Sequence, residues 1–255
     1  MVSARKYTVV FILLLLLSSF AVHKTDGGTM LYLMYHRYHG HWQRSLKFIQ
    51  QTDHYNNDTL SGSETWYETI VYPRSFRIDF GMPSKGNCVL FRNDSAYIFR
   101  NSTLAKSRVD SNELLFILGG MYHAPDFAQV KARFLAMHYD LSKRFYTTWH
   151  GTNVFVIGAA AAGEEVNQLW VDTRHYHILR SLRYTDGIKE EIIMEGHQRL
   201  GRRKWSETKV AFYRDGHLVQ QETYSHIIAN DYIDPAIFSP ATPWQWHWAN
   251  QLGGQ

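Results

Sequence analysis

The amino-acid sequence predicts an α+β protein that is mainly β, an antiparallel sheet of eleven or twelve strands with two helical inserts. Three observations carry that prediction. Phe76, Ile78 and Phe80 alternate with Ser75, Arg77 and Asp79, the period-two signature of a strand with one apolar face. Turn dipeptides such as Asn93-Asp94, Asp186-Gly187 and Asp215-Gly216 recur between apolar runs. Helical periodicity, by contrast, is confined to the start of the chain and to one central stretch. A twisted sheet of that many strands tends to curl, and its apolar face then needs a filling.

The chain opens on an export signal. Arg5 and Lys6 precede an unbroken apolar run from Val9 to Leu17, and Ser19-Phe20-Ala21 offers a small-x-small cleavage site after Ala21. The apolar stretch 7–22 is short of the roughly 20 residues that a spanning helix needs. Residues 22–255 are expected to form one domain, because no linker or charge run splits them. Thr29 to Gln43 reads as an amphipathic helix with Met30, Met34, Tyr38 and Trp42 on one stripe, preceded by Asp26, Gly27 and Gly28 as break and cap. Ser45 to Tyr55 reads as a strand closed by Asn56-Asn57-Asp58.

A four-segment meander follows within Glu64 to Leu104, its last segment at Ala96 to Arg100, punctuated at Pro73, at Gly81 with Pro83, and at Asn93-Asp94-Ser95. Asn112 to Met121 reads as a short buried helix behind the capping residues Asp110 to Glu113. Pro125 to His138 reads as a second helix, with Phe127, Val130, Phe134 and Met137 on its apolar stripe. The remaining strands are expected at 147–149, 154–157, 168–171, 178–184, 188–197, 205–213 and 217–228, before the aromatic tail Trp244 to Trp248.

Composition excludes more than it assigns. Removing Arg5 and Lys6 takes the formal charge from +4 to +2, which gives no argument for a nucleic-acid partner. Cys88 is the one cysteine, so no intramolecular disulfide forms; an exported chain of this kind suits a bacterial periplasm, and a buried thiol suits Cys88. Three Asn-x-Ser/Thr triplets, at Asn57, Asn93 and Asn101, then read as turns rather than glycosylation sites. No G-x-S-x-G or H-E-x-x-H occurs. Gly158 to Gly163 has the glycine spacing of a phosphate loop but continues into Glu164-Glu165, which repels phosphate. His36, His39 and His41, and His175 with His177, lack a converging carboxylate, so neither a metal nor another cofactor is expected. Glu64/Glu68 and Glu190/Glu191 read as glutamates on wet strand faces rather than acid/base couples.

The positive signal is apolar. Trp66, Ile70, Tyr72, Phe76, Ile78, Phe80, Val89, Phe91, Tyr97 and Phe99 are expected to line one face of the meander, with Met30, Met34, Leu115, Phe116 and Leu118 from the helices as a movable plug. An ordinary core with nothing bound stays open at this point.

The export signal, the leading amphipathic helix and the strand 48–51 are followed by a strand ending in Tyr72-Pro73. Then come the 76–80 strand, the hairpin Leu90 to Tyr97, and Asn167-Gln168-Leu169-Trp170-Val171-Asp172. Over about 30–238 this pattern resembles the periplasmic outer-membrane lipoprotein carriers (LolA-like) and lipoprotein-sorting proteins. The resemblance implies an incomplete, half-open antiparallel β-barrel with helices as a lid in its concave face. It implies a monomeric, non-enzymatic periplasmic carrier of lipoprotein or lipid acyl chains on the way to the outer membrane, with membrane-bound donor and acceptor proteins. An alternative is an envelope-stress sensor or scaffold that uses the same fold to bind a protein partner. Two departures stand out. The carriers have an arginine that serves cargo release before the strand-end proline, where this chain has Tyr72, with Arg74 after the proline. The aromatic tail beyond Phe238 is the second.

Overall fold

The computed structural model describes residues 25–245 and 247–252; the expected signal peptide lies outside the described residues. Helix α1 (Gly27–Tyr38) starts where the Asp26 carboxylate accepts the Thr29 N–H at 2.7 Å, satisfying one of the free N–H groups at the helix start. Its stripe Met30, Met34 and Tyr38 is buried, and Trp42 lies beyond the helix end.

The sheet is built by two meanders. β1 (Ser45–Asn56), β2 (Thr59–Val71), β3 (Ser75–Phe80), β4 (Cys88–Arg92), β5 (Ser95–Arg100) and β6 (Thr103–Val109) follow one another outward. β7 (Arg144–Trp149), β8 (Thr152–Ile157), β9 (Gln168–Asp172), β10 (Ile178–Thr185) and β11 (Ile188–Glu195) form the other wing. It is joined through β14 (Lys209–Arg214) and β15 (His217–Ala229), and β15 pairs antiparallel with β1. The order is β6-β5-β4-β3-β2-β1-β15-β14-β11-β10-β9-β8-β7, a 13-stranded sheet with β6 and β7 as open edges. It is therefore an open barrel. Asn57-Asp58, Asn93-Asp94, Asn101-Ser102, Asp186-Gly187 and Asp215-Gly216 all have positive φ, as two-residue turns between twisted strands require. The three Asn-x-Ser/Thr triplets are these turns.

Three strands exceed the expectation. β6 is exposed at every residue, so it has no buried face and no alternation to betray it. The stretches 188–197 and 205–213 are not continuous strands. β12 (Gln198–Gly201) and β13 (Lys204–Ser206) leave the main sheet as a separate hairpin around Arg202-Arg203.

The helices share one face of the sheet, the inner face. Leu31, Met34 and Tyr38 of α1, and Val130 and Phe134 of α3 (Phe127–Ala136), pack on Phe155, Ile157, Leu169, Val171, Met194 and Val210. Burying each such large aliphatic side chain is worth about 1.5–3 kcal/mol. Over β1–β3 the inner face receives α2 (Glu113–Leu118), whose Leu115 joins Leu46, Phe48 and Ile70, and the β12–β13 hairpin, whose Leu200 packs on the same cluster. One wing is thus filled and the other is only roofed.

The outer face of β3 corrects a simple expectation. Arg77 and Asp79 alternate as wet-face residues, yet both are fully buried. The guanidinium grips the Asp79 carboxylate through Nε at 2.6 Å and Nη2 at 2.8 Å. Its remaining N–H groups donate to the carbonyls of Ile237, Pro243 and Gln245 at 2.9–3.1 Å. The C-terminal segment therefore lies over β3, with Ile237 and Phe238 packed near Val71 and Trp248. Lys47, also on the outer face, is held by Asp231 and Gln251.

Candidate functional site

Register decides which side chains face the roofed half of the inner surface. Leu46 stands opposite Ile70, Phe48 opposite Glu68, and Gln50 opposite Trp66; Ile70, Glu68 and Trp66 in turn oppose Phe76, Ile78 and Phe80. These residues share one face because directly opposed residues of an antiparallel pair do. Above them, α2 and the β12–β13 hairpin close a hollow of about 270 Å³. Phe76 and Phe91 stack at 5.7 Å, and Phe48 meets Tyr224 at 4.6 Å. Phe76, Ile78 and Phe80 are only half-buried although they point inward. Large apolar groups in that state border open space rather than a packed core.

Of the residues expected to line the site, Trp66, Ile70, Tyr72, Phe76, Ile78, Phe91, Leu115 and Leu118 border this hollow. Phe80 meets the edge of Trp66 at 4.8 Å, and Val89 stands opposite Ile78 on the same face. Phe116 turns to the far side of α2, where the Arg133 guanidinium lies 4.8 Å over its ring. Two placements are corrected. Tyr97 and Phe99 oppose Leu90 and Cys88, which puts them on the outer face; Ala96 and Ile98 take the inner one. Met34, like Met30, is buried in the core on α1 and does not border this hollow. Burial pushes the Cys88 thiol up to about 12.

Sequence reasoning missed the opposite wall. Phe212 on β14 and Tyr224 on β15 complete it, brought across by the β1–β15 pairing that no local pattern announces. It also missed Glu68. Glu64 is exposed and bonded to His54 at 2.9 Å, whereas Glu68 is buried inside the hollow with Glu222. Parity with Trp66 and Ile70 was the available signal. Burial raises the Glu68 carboxyl well above its ordinary value, and the nearby Glu222 adds to it; burial also raises Glu222 to about 7.

α2 forms a partition. On its other side a groove of about 530 Å³ is bordered by Arg74, Arg92, Phe116, Gln129 and Arg133, and it shares Phe91, Asn112 and Leu115 with the hollow. The Asn112 side chain caps α2, accepting the Leu115 N–H at 3.0 Å, and an ion pair of 2.7 Å ties Glu113 to Arg183. At the other end Gly119 admits close contact, since a Cβ there would stand 2.4 Å from the Tyr72 ring.

Among the described residues no three His, Cys, Asp or Glu side chains converge as a metal site. His175 and His177 stack at 5.3 Å, and His177 stacks on His197 at 4.4 Å. Burial, then the neighbouring His197, pushes His177 down to about 3, so it is neutral. In the 158–163 loop the Ala160 and Ala161 N–H groups both donate to Glu164 Oε1 at 3.1 Å, which occupies donors that a phosphate would need.

No family model and no curated protein sequence matches the chain. Solved structures match it by shape. A domain assigned to the outer membrane lipoprotein-sorting proteins, from Vibrio parahaemolyticus, superposes with a TM-score of 0.59 at 10% identity, over 86% of this chain and 98% of its own. A DUF1329 family protein from Desulfovibrio piger gives 0.57 at 11% identity, over 85% and 97%. A LolA superfamily protein from Nitrosomonas europaea gives 0.52 at 11% identity, over 84% and 97%. At such identities the likeness is one of fold, and that fold is the LolA-like open barrel.

Proposed function

Proceeding from a LolA-like fold whose roofed wing is left unfilled, we propose that this protein binds acylated molecules, lipoproteins or lipids, and carries them through the periplasm by sequestering their hydrocarbon chains. The observation that carries the proposal is the hollow beneath α2, walled by half-buried aromatic rings on one side and by Phe212 and Tyr224 on the other. An alkyl chain entering it leaves water, which is worth about 0.8 kcal/mol per methylene. Binding of this kind needs no bond to be made or broken. α2 is the element that has to yield, because it is short and separates the hollow from the outer groove. Residues 1–21 act in this proposal as the export signal, and the remainder works as one monomeric domain, taking cargo from one membrane-bound protein and giving it to another.

A fluorescent fatty acid titrated into delipidated protein tests this, read by quenching of tryptophan, since Trp42, Trp66 and Trp205 border the hollow. Affinity is expected to rise roughly fourfold per added methylene until the hollow is full. Phe76→Asp is expected to abolish the response. A flat chain-length series, or no response to any lipid, would overturn the proposal. Native mass spectrometry of protein taken from its exporting host would weigh the natural cargo directly.

A further inference from the structure

The hollow has a polar side that a hydrocarbon chain does not use. Glu68 on β2 and Glu222 on β15 are 4% and 7% exposed, and Glu207, between β13 and β14, borders the same space. The Glu222 carboxylate accepts from Gln220 Nε2 at 2.6 Å and from the Tyr224 hydroxyl at 2.5 Å. The Glu68 carboxyl has no hydrogen bond or ion pair to any described residue. A separate observation points the same way. Gln43, 1% exposed, donates its Nε2 to the Trp205 carbonyl at 2.7 Å and leaves its Oε1, at the wall of the hollow, without a partner. Among the described residues no Lys, Arg or His borders the hollow. Three carboxyls and the unpartnered Gln43 oxygen gather on this side. Among the described residues the donors that line the hollow, including Gln220, the Tyr224 hydroxyl and the unpartnered indole N–H groups of Trp42 and Trp66, are all neutral. Buried carboxyls with no positive charge beside them are costly.

We propose that this side is a head-group subsite for a cationic amphiphile: an ammonium group lies between Glu68 and Glu222 while the alkyl tail runs along Leu46, Ile70 and Leu115. An ammonium brings the positive charge that the neutral donors at this wall do not supply, with three N–H groups to direct at the oxygens. Along β2 the geometry suits that orientation. Ile70 and Glu68 are buried, Trp66 is half-buried, and Glu64 is exposed, so the carboxyls lie between the sealed apolar end and the solvent end of the strand. In the empty hollow burial holds Glu68 and Glu222 toward their protonated forms. Entry of the ammonium then leaves one carboxyl ionised, and its proton passes to solvent. The groups facing this subsite are Glu68 from β2, Glu222 and Tyr224 from β15, Glu207 from the hairpin link, and Tyr72 at the end of β2; none is a cation.

The inference rests on the hollow being an amphiphile site, and the experiment separates the two ideas. N-phenyl-1-naphthylamine, an uncharged fluorophore, is bound to the full chain and displaced by dodecylamine, dodecanol or dodecanoate, which share one chain length. Dodecylamine is expected to bind about tenfold or more tightly than dodecanol at about pH 8, with dodecanoate weakest and the advantage shrinking toward about pH 6. Glu68→Gln with Glu222→Gln should erase the advantage while dodecanol still binds; Glu222→Gln alone should halve it or more. If dodecanol equals dodecylamine on the unmodified chain, the head-group subsite is wrong and the apolar site stands. If neither the fluorophore nor any dodecyl compound enters, both fall.

Discussion

Asp79 occupies the outer parity of β3, where alternation alone places solvent, and among the described residues its cationic partner is the buried guanidinium of Arg77. Removing one member of a buried pair strands the other charge, whereas an exposed pair loses little to the break. Asp79→Ala is therefore expected to lower stability by about 3–5 kcal/mol in urea denaturation. Arg214→Ala, which breaks an exposed pair with Glu190, should cost less than about 1 kcal/mol. Equal effects would show that the tail does not seal Arg77 from water.

The carboxyls of the hollow set a pH dependence at the same scale. Burial raises Glu222 from its ordinary 4.5 to about 7, so over that range the folded state holds a proton that the unfolded chain releases. The stability it contributes is full below the unfolded value and is lost as pH rises through about 7. His177, pushed down to about 3 by burial, runs the other way: its contribution is full above 6.5 and is lost as pH falls. Comparison of Glu222→Gln with the unmodified chain separates the two. The variant's thermal midpoint should fall less between about pH 5 and about pH 8, and parallel profiles would refute the buried protonated carboxyl.

Among the elements, α2 has the least to hold it. Its six residues are too few to be a stable helix by themselves, so the Asn112 cap, the Glu113–Arg183 pair and Leu115 fix its place. Asn112 has φ +43°, a conformation that Asn and Gly tolerate and Ala does not. Asn112→Ala is expected to weaken α2 by about 1–2 kcal/mol, while Asn112→Gly costs a few tenths. Faster hydrogen exchange at the 115–118 amides would report it, and lipid exchange should quicken in step. If α2 loosens and exchange does not change, α2 is not the gate. β6 shows the opposite limit: it is held by pairing with β5 alone, and seven exposed residues left nothing for a pattern to detect.

For the whole molecule, the C-terminal segment acts as an outer brace. It supplies three carbonyls to Arg77 and lays the turn Pro235–Phe238 against β3 and β4. A chain ended after Asp231 is expected to unfold at a lower urea concentration and to bind a hydrophobic dye that the full chain excludes. Unchanged unfolding would mean that the tail is an ornament on a self-sufficient sheet. Trp248 packs on the Ile233, Ile237 and Phe238 cluster of this brace, while Trp244 stays exposed.

Strands, turns and caps were legible because their causes are local. Alternation over 75–80, positive-φ pairs at Asn93-Asp94 and Asp215-Gly216, and Asp26 and Asn112 before their helices each act within a few residues. Even the misplacement of Tyr97 and Phe99 had a local remedy. A two-residue loop at Asn93-Asp94 pairs Arg92 with Ser95, so Val89 must face Ile98.

Chain chemistry by itself determined that there would be a curled antiparallel sheet with rings on one face and helices to meet them. It could not determine how completely the helices would fill that face, because filling depends on which wing α1 and α3 settle upon. Nor could it show that β15 returns to β1 and brings Glu222 beside Glu68, or that the tail buries Arg77. Those outcomes are contacts between residues far apart in sequence, set by packing over the whole molecule, and the hollow is what that packing leaves unoccupied.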